Sequence, residues 1–459
     1  MSDQSRPFDS AQGRERFLAD FARLAPTLPG ARVPWLKRLR QRALERFAQS
    51  GFPTTRDEEW KYTNVAAIEK RGFRVAWYDR ESAPPAGLEA LFSRRPGEGR
   101  GPSWEFPGHR LVFVNGRYAP ALSAVDRLPA GVTLESLADA LERAPDSLQS
   151  ALTDESEQTV FGALNTAFMT DGVYIDLPRD TTVEEPIHLF FVATRPDTAI
   201  HPRNVIIAGD RAQVTVIEHY AGADGTTYLT NAVTQLLAAT GASVEHYKLQ
   251  EEALASYHIA GIHAAQAHGS RLASHSIALG AAIARNDITT TFDGERCEAS
   301  LNGLYLVRGR QHVDHHTRID HFKPDGVSRE YYRGLLDGAS RGVFNGKVVV
   351  HPQAQRSDAR QVNHNLLLSK DAEIDTKPQL EIYADDVRCT HGAAVGQLDE
   401  DQLFYLRSRG IEEATARSLL IYAFAREVIE RIRVDSLRAA LEQTLLARLP
   451  ESERIRELQ

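Results

Sequence analysis

One of the chain's 2 cysteines stands two positions before a histidine in the stretch DDVRCTHGAAVG, Asp385 to Gly396. Along a strand, residues two apart share a face, so Cys389 and His391 project together and Arg388 projects opposite. A thiol and an imidazole, with Asp385 and Asp386 close in sequence, are soft and borderline ligands for a transition metal. Gly392, Ala393 and Ala394 leave room for another backbone or a bulky group to approach. Packing is the competing reading, because free cysteine is among the most buried residue types and behaves as a small hydrophobe.

The densest polar cluster is QHVDHHTRIDHF, beginning at Gln311. Strand alternation puts His312, Asp314, His316 and Asp320 on one face and His315 and His321 on the other. His312, Asp314 and His316 form a candidate metal set. Their spacing alone fixes no tetrahedral geometry, and a hydrogen-bonded ladder of polar residues on a solvated sheet face is the simpler reading. RGVFNGKVVV resembles a phosphate loop only superficially. That loop needs a glycine five residues before its Gly-Lys pair and a hydroxyl after it, and those positions hold Arg341 and Val348. Neither a Gly-x-Ser-x-Gly elbow nor a paired-cysteine motif occurs, and Cys297 and Cys389 are too few for a disulfide framework or a four-thiolate site.

At 459 residues the chain exceeds the size at which one globular core usually stops growing, unless that core is elongated. With 42% hydrophobic and 25% charged residues it reads as an ordinary folded protein. Its formal net charge of -8 disfavours non-specific binding to nucleic acid or anionic membranes. The opening MSDQSRPFDS lacks the apolar core of a signal peptide and no later run is long enough to span a bilayer, so a cytoplasmic address is expected.

Three regions follow from the hydrophobic period. Residues 1–170 are expected to be a helical region with a short hairpin. Phe17, Phe21 and Leu24 share one helical face, GFPTTRDEEWKYTNV is a docking segment anchored by Trp60 and Tyr62, and SRRPGEGRGPSW is a linker. HRLVFVNGRYAP turns at Asn115-Gly116, and LESLADALERA and EQTVFGALNTAF read as helices. Residues 171–396 show almost no helical period. Gly209, Gly241, Gly269 and Gly294 each open a turn leading into a strand, which suits the coils of a β-helix, although a β-sandwich also fits. Residues 397–459 turn helical again, with Asp399 as N-cap, Gly410 as a stop, and Ile421, Phe424, Val428 and Ile432 along one stripe.

RDEEWKYTNV, DHHTRIDH, FNGKVVVHPQAQRSDARQVNHNLLLS, AEIDTKPQLEIYADDVRCTHGAAVG and LRSRGIEEATARSLLIYAF, in this order, resemble the SufB/SufD family of the Suf iron–sulfur cluster assembly machinery. The resemblance covers nearly the whole chain. The HGA at His391, where SufB proteins carry HEA, is similar to the SufD branch, and the small cysteine inventory agrees.

The resemblance implies a mainly β fold: a right-handed parallel β-helix core flanked by N-terminal and C-terminal helical regions. It implies a non-catalytic scaffold that pairs with a SufB-like paralogue and docks the ATPase SufC, which binds the ATP. The residue matching His391 then lies at the SufB interface, where it handles the nascent iron–sulfur cluster and any transient metal beside a partner thiolate. Cys389 matches the neighbouring family cysteine. The C-terminal hairpin, with Arg407, Arg409, Gly410, Arg417, Leu419 and Leu420, is the expected ATPase dock. By this reading no cofactor binds stably to the chain alone. Whether the isolated chain forms a homodimer, and whether iron or flavin binds it directly, stays open. So do two other readings, a β-helix enzyme acting on polysaccharide and a pure interaction scaffold with no ligand at His391.

Overall fold

The computed structural model describes residues 12–76, 88, 108–152, 159–451 and 454–455, and the expected linker SRRPGEGRGPSW lies outside them. From Val173 to Gly396 the chain winds as a parallel β-solenoid, each coil giving one strand to each of two sheets. One sheet takes Leu229–Ala238, Tyr257–Gln266, Ile283–Phe292, His312–His321, Arg341–Val350 and Glu373–Ile382 in succession. The other takes Ser243–Gln250, Arg271–Ala278, Glu298–Val307, Val327–Leu336, Asp358–Leu367 and Arg388–Gly396. The face-packed antiparallel sandwich is therefore excluded. The stretch resembling a phosphate loop is simply the strand Arg341–Val350.

Register is strict. Gln213, Ser243, Arg271, Glu298, Val327, Asp358 and Arg388 stand one above another at the strand starts. Two residues before all of these starts but the last, the backbone takes a left-handed turn, at Arg211, Gly241, Gly269, Arg296, Asp325 and Arg356. Only two of these are glycines, which is why the glycine echo in the sequence drifts. A left-handed L-residue costs roughly 1–2 kcal/mol. The stack offsets part of that cost: Arg296 N–H donates to Pro324 O at 3.1 Å, Asp325 N–H to Gln355 O at 3.0 Å and Arg356 N–H to Asp386 O at 2.6 Å. Across one coil, the Arg356 guanidinium also grips the Asp325 carboxylate at 2.7 and 2.8 Å.

Inward side chains of both sheets form the core, among them Val216, Leu236, Val244, Ile262, Ile288, Leu301, Ile319, Tyr332, Phe344 and Val348. Each outer face has its own cover. The helices Gln12–Leu24, Pro34–Ser50 and Val160–Phe168 bring Phe17, Phe47 and Phe168 to Ala199, Leu229 and Ile259 on the first sheet. The helices Glu413–Ile429 and Asp435–Ala447 bring Ile421, Val428, Leu441 and Leu445 to Ile217, Leu249, Leu304 and Leu335 on the second.

The expected hairpin forms between His109–Val114 and Arg117–Tyr118, and its first strand also pairs in parallel with Ile187–Ala193, so it extends the second sheet. LESLADALERA is not helical throughout. Thr133–Ser136 is a strand antiparallel to Val173–Leu177, and the helix begins only at Leu137, where the Ser136 hydroxyl accepts from Asp139 N–H at 3.1 Å.

Candidate functional site

Every solenoid has a last coil, and here it is left open. Glu373–Ile382 and Arg388–Gly396 are the edge strands of the two sheets, and no residue of Arg388–Gly396 is fully buried. Ile382, Tyr383 and Val395 expose apolar surface beside a row of unpaired backbone groups. Such an edge is a template for another strand.

Cys389 stacks on Ala359 and packs half-buried against the interior core, which fixes the inward side of this strand. Burial pushes its thiol above the ordinary value, against a hydrogen bond from the Ala359 backbone, so the thiolate is disfavoured. His391 shares that inward parity and stacks on Gln361, yet it is exposed because no coil follows. A methyl group built on Gly392 or Gly396 meets nothing within 4 Å, so this part of the strand borders open space. Among the described residues no three His, Cys, Asp or Glu side chains converge to hold a metal ion, and Asp385 and Asp386 do not complete a set with Cys389 and His391. Cys297 is fully buried, its single thiol proton within reach of the Ala267 and Gly294 carbonyls at 3.1 and 3.2 Å.

The histidine-rich strand divides between faces as its parity requires. His315 and His321 point into the core, where burial pushes them down to about 3 and about 4 and leaves them neutral. His312, Asp314 and His316 point outward under the segment RDEEWKYTN. Thr63 donates to Asp314 Oδ2 at 2.5 Å, so its single proton is used and His312 Nε2, at 2.8 Å, must be the donor to Thr63. Arg285 donates to Asp314 at 2.9 Å and to the Glu59 carbonyl at 2.6 Å, and its guanidinium lies 3.8 Å from the Trp60 ring centroid. This cluster is a joint between the N-terminal segment and the solenoid.

The C-terminal hairpin is the second candidate. Asp399 caps the helix Glu400–Ser408, accepting from Asp401 and Gln402 N–H at 2.9 and 3.2 Å, and Gly410 turns the chain at φ 85°. Arg407, Arg409 and Gly410 are exposed and Arg417 is half-buried. Leu419 and Leu420 pack partly buried under the helices rather than facing out. The exposed apolar surface lies instead at Phe404 and Tyr405, 72% and 57% accessible, which sequence reasoning passed over. Arg409 stacks on Tyr405 with its guanidinium 5.2 Å from the ring centroid. The hairpin is fastened to the solenoid by Arg333, which donates to the Phe424 carbonyl at 2.8 Å and pairs with Glu427.

Two family models cover the chain: the SufBD protein N-terminal region matches residues 12–189, and the SUF system FeS cluster assembly, SufBD core domain matches residues 191–424. An iron–sulfur cluster assembly SufBD family protein of Synechocystis is 34% identical, covering 89% of this chain and 90% of that protein. The iron–sulfur cluster assembly protein SufD of Escherichia coli is 33% identical, covering 89% of this chain and 92% of its own length. That of Bacillus subtilis is 26% identical over 89% of this chain and 92% of the relative. With both halves matched in order on a parallel β-solenoid, the chain belongs to the SufBD family of iron–sulfur cluster assembly proteins.

Proposed function

We propose that this chain is a non-catalytic scaffold subunit of an iron–sulfur cluster assembly complex. It pairs with a SufB-like paralogue through the open solenoid end and docks a SufC-like ATPase through its C-terminal helical hairpin. The nascent cluster is cargo at the paralogue interface and ATP belongs to the ATPase. The observation that carries this reading is the uncapped last coil: both outer faces of the solenoid are covered by the chain's own helices, while the end bearing His391 exposes two edge strands and apolar side chains.

At that end His391 offers an imidazole for iron or a bridging sulfur, and the thiolate comes from the partner, since Cys389 is half-buried and held protonated by burial. The test is the complex purified with the His391→Ala chain. Assembly of the subunits should be retained and cluster yield should fall at least tenfold, with Cys389→Ser milder. Undiminished iron and sulfide in the His391→Ala complex would exclude the site.

A further inference from the structure

Two neighbouring strands of the second sheet exchange their tyrosines. Glu298–Val307 carries Gly303 and Tyr305, Val327–Leu336 carries Tyr332 and Gly334, and the register pairs Gly303 with Tyr332 and Tyr305 with Gly334. Both tyrosines belong to the interior core, and by strand parity both glycines face the interior too. A methyl group on Gly303 would overlap the Tyr332 ring, and one on Gly334 would overlap the Tyr305 ring. Glycine at each place lets a ring from the adjacent coil lie over the backbone. Tyr332 therefore leans back toward the earlier coils, and Tyr305 leans forward toward the open end.

Tyr305 reaches a polar group there. Its hydroxyl donates to Asn365 Oδ1 at 2.5 Å, Asn365 Nδ2 donates to Asn363 Oδ1 at 2.6 Å, and Asn363 Nδ2 donates back to Tyr305 Oη at 3.2 Å, which closes a ring of hydrogen bonds. Thr376, on the edge strand Glu373–Ile382, donates its hydroxyl to the same Asn363 Oδ1 at 2.9 Å. Asn363 and Asn365 stand directly under Ala393 and Val395 of the other edge strand, Arg388–Gly396. Tyr305, Asn363 and Asn365 are all buried, so these bonds form at low local dielectric. One hydroxyl, from deep in the solenoid, is thus linked to both strands of the open end, to one through Thr376 and to the other through the ladder.

We infer that Tyr305 is the positioning residue of the open end: acting through Asn363, Asn365 and Thr376, its hydroxyl holds the two edge strands in place before a partner arrives. Each edge strand has a ladder neighbour on one side only, and elements with so few contacts are the first to open locally. An interface whose strands are already ordered binds without the cost of ordering them. The inference rests on the reading of the open end as the paralogue-binding surface for its use. The tie itself is a property of the isolated chain.

The test is hydrogen exchange of the full chain, read by mass spectrometry. Tyr305→Phe keeps the ring over Gly334 and removes only the hydroxyl. Peptides from Glu373–Ile382 and Arg388–Gly396 should exchange about tenfold faster than in wild type, while those from Leu229–Ala238 and Ser243–Gln250 should match it. Unchanged exchange at both edge strands overturns the inference. So does equal acceleration throughout the solenoid, which is the mark of a general loss of stability. Should Tyr305→Phe fail to fold, Thr376→Val cuts the last link at the open coil, and unchanged exchange of Glu373–Ile382 in that variant overturns the inference as well. Pairing of the Tyr305→Phe chain with the purified paralogue should weaken about fivefold. Faster exchange at the edge strands with undiminished pairing would support the tie and exclude the open end as the pairing surface, so the two readings fail separately.

Discussion

Thr63 and Asp314 meet at 2.5 Å although they stand 251 positions apart in sequence. Their bond joins the docking segment to the outer face of the histidine-rich strand. Asp314 is 1% exposed and carries the charges of Arg285 and His316 as well, at 2.9 and 3.1 Å. Removing one partner of a buried ionic group leaves the others unpaired, at about 3–5 kcal/mol. Asp314→Ala should therefore lower stability by that amount in urea unfolding. Thr63→Val, which loses the bond to that charged group and the one Thr63 accepts from His312, should cost at least about 1.5–3 kcal/mol. An Asp314→Ala chain as stable as wild type would show that the joint contributes nothing to the fold.

The same joint has a pH signature. Burial acts to lower the pKa of His316, but Asp314 and Glu59 outweigh it and the imidazole is pushed up to about 9. A folded-state pKa above the unfolded one gives stability that is complete below about 6.5 and lost as pH rises through about 9. Arg285, facing the same ring, opposes the shift, and Lys248, pushed down to about 8 by burial, adds stability above that pH. The difference between wild type and His316→Gln isolates the imidazole: the wild-type advantage should shrink by on the order of 2 kcal/mol between pH 6 and pH 9.5. A pH-independent difference would mean that folding leaves the His316 pKa unshifted.

Strand parity was enough to divide His312, Asp314 and His316 from His315 and His321, because the period of two is a local property. What covers the outward set was not legible, since Thr63, Glu59 and Trp60 arrive from the far end of the chain. The solenoid itself was visible in the glycine echo, but its true repeat is carried by left-handed positions that hold arginine or aspartate as readily as glycine. The strand bearing Cys389 and His391 reads like any earlier coil. Only register reveals that nothing follows it, and only register sets Gln361 under His391.

Phe404 and Tyr405 were passed over in the sequence. The run Leu403-Phe404-Tyr405-Leu406 suggests burial, yet of the helix Glu400–Ser408 only Leu403 is buried. Two large aromatics beside an exposed arginine have the composition of an interface hot spot, where truncation typically costs 2 kcal/mol or more. If the hairpin is the ATPase dock, they are its anchors, ahead of Leu419 and Leu420, which the chain's own helices partly cover. Truncation after Gly396 is a poor test, because it would uncover Leu249, Leu304 and Leu335 on the second sheet and compromise the fold. Substituting the exposed pair leaves that core untouched. The Phe404→Ala, Tyr405→Ala double variant should keep wild-type stability and pairing with the paralogue while weakening ATPase binding at least thirtyfold, about 2 kcal/mol. Arg409→Glu, which removes the stacking cation, should weaken it further. Full ATPase affinity in the double variant, measured by calorimetry with the purified partner, would place the dock on another surface.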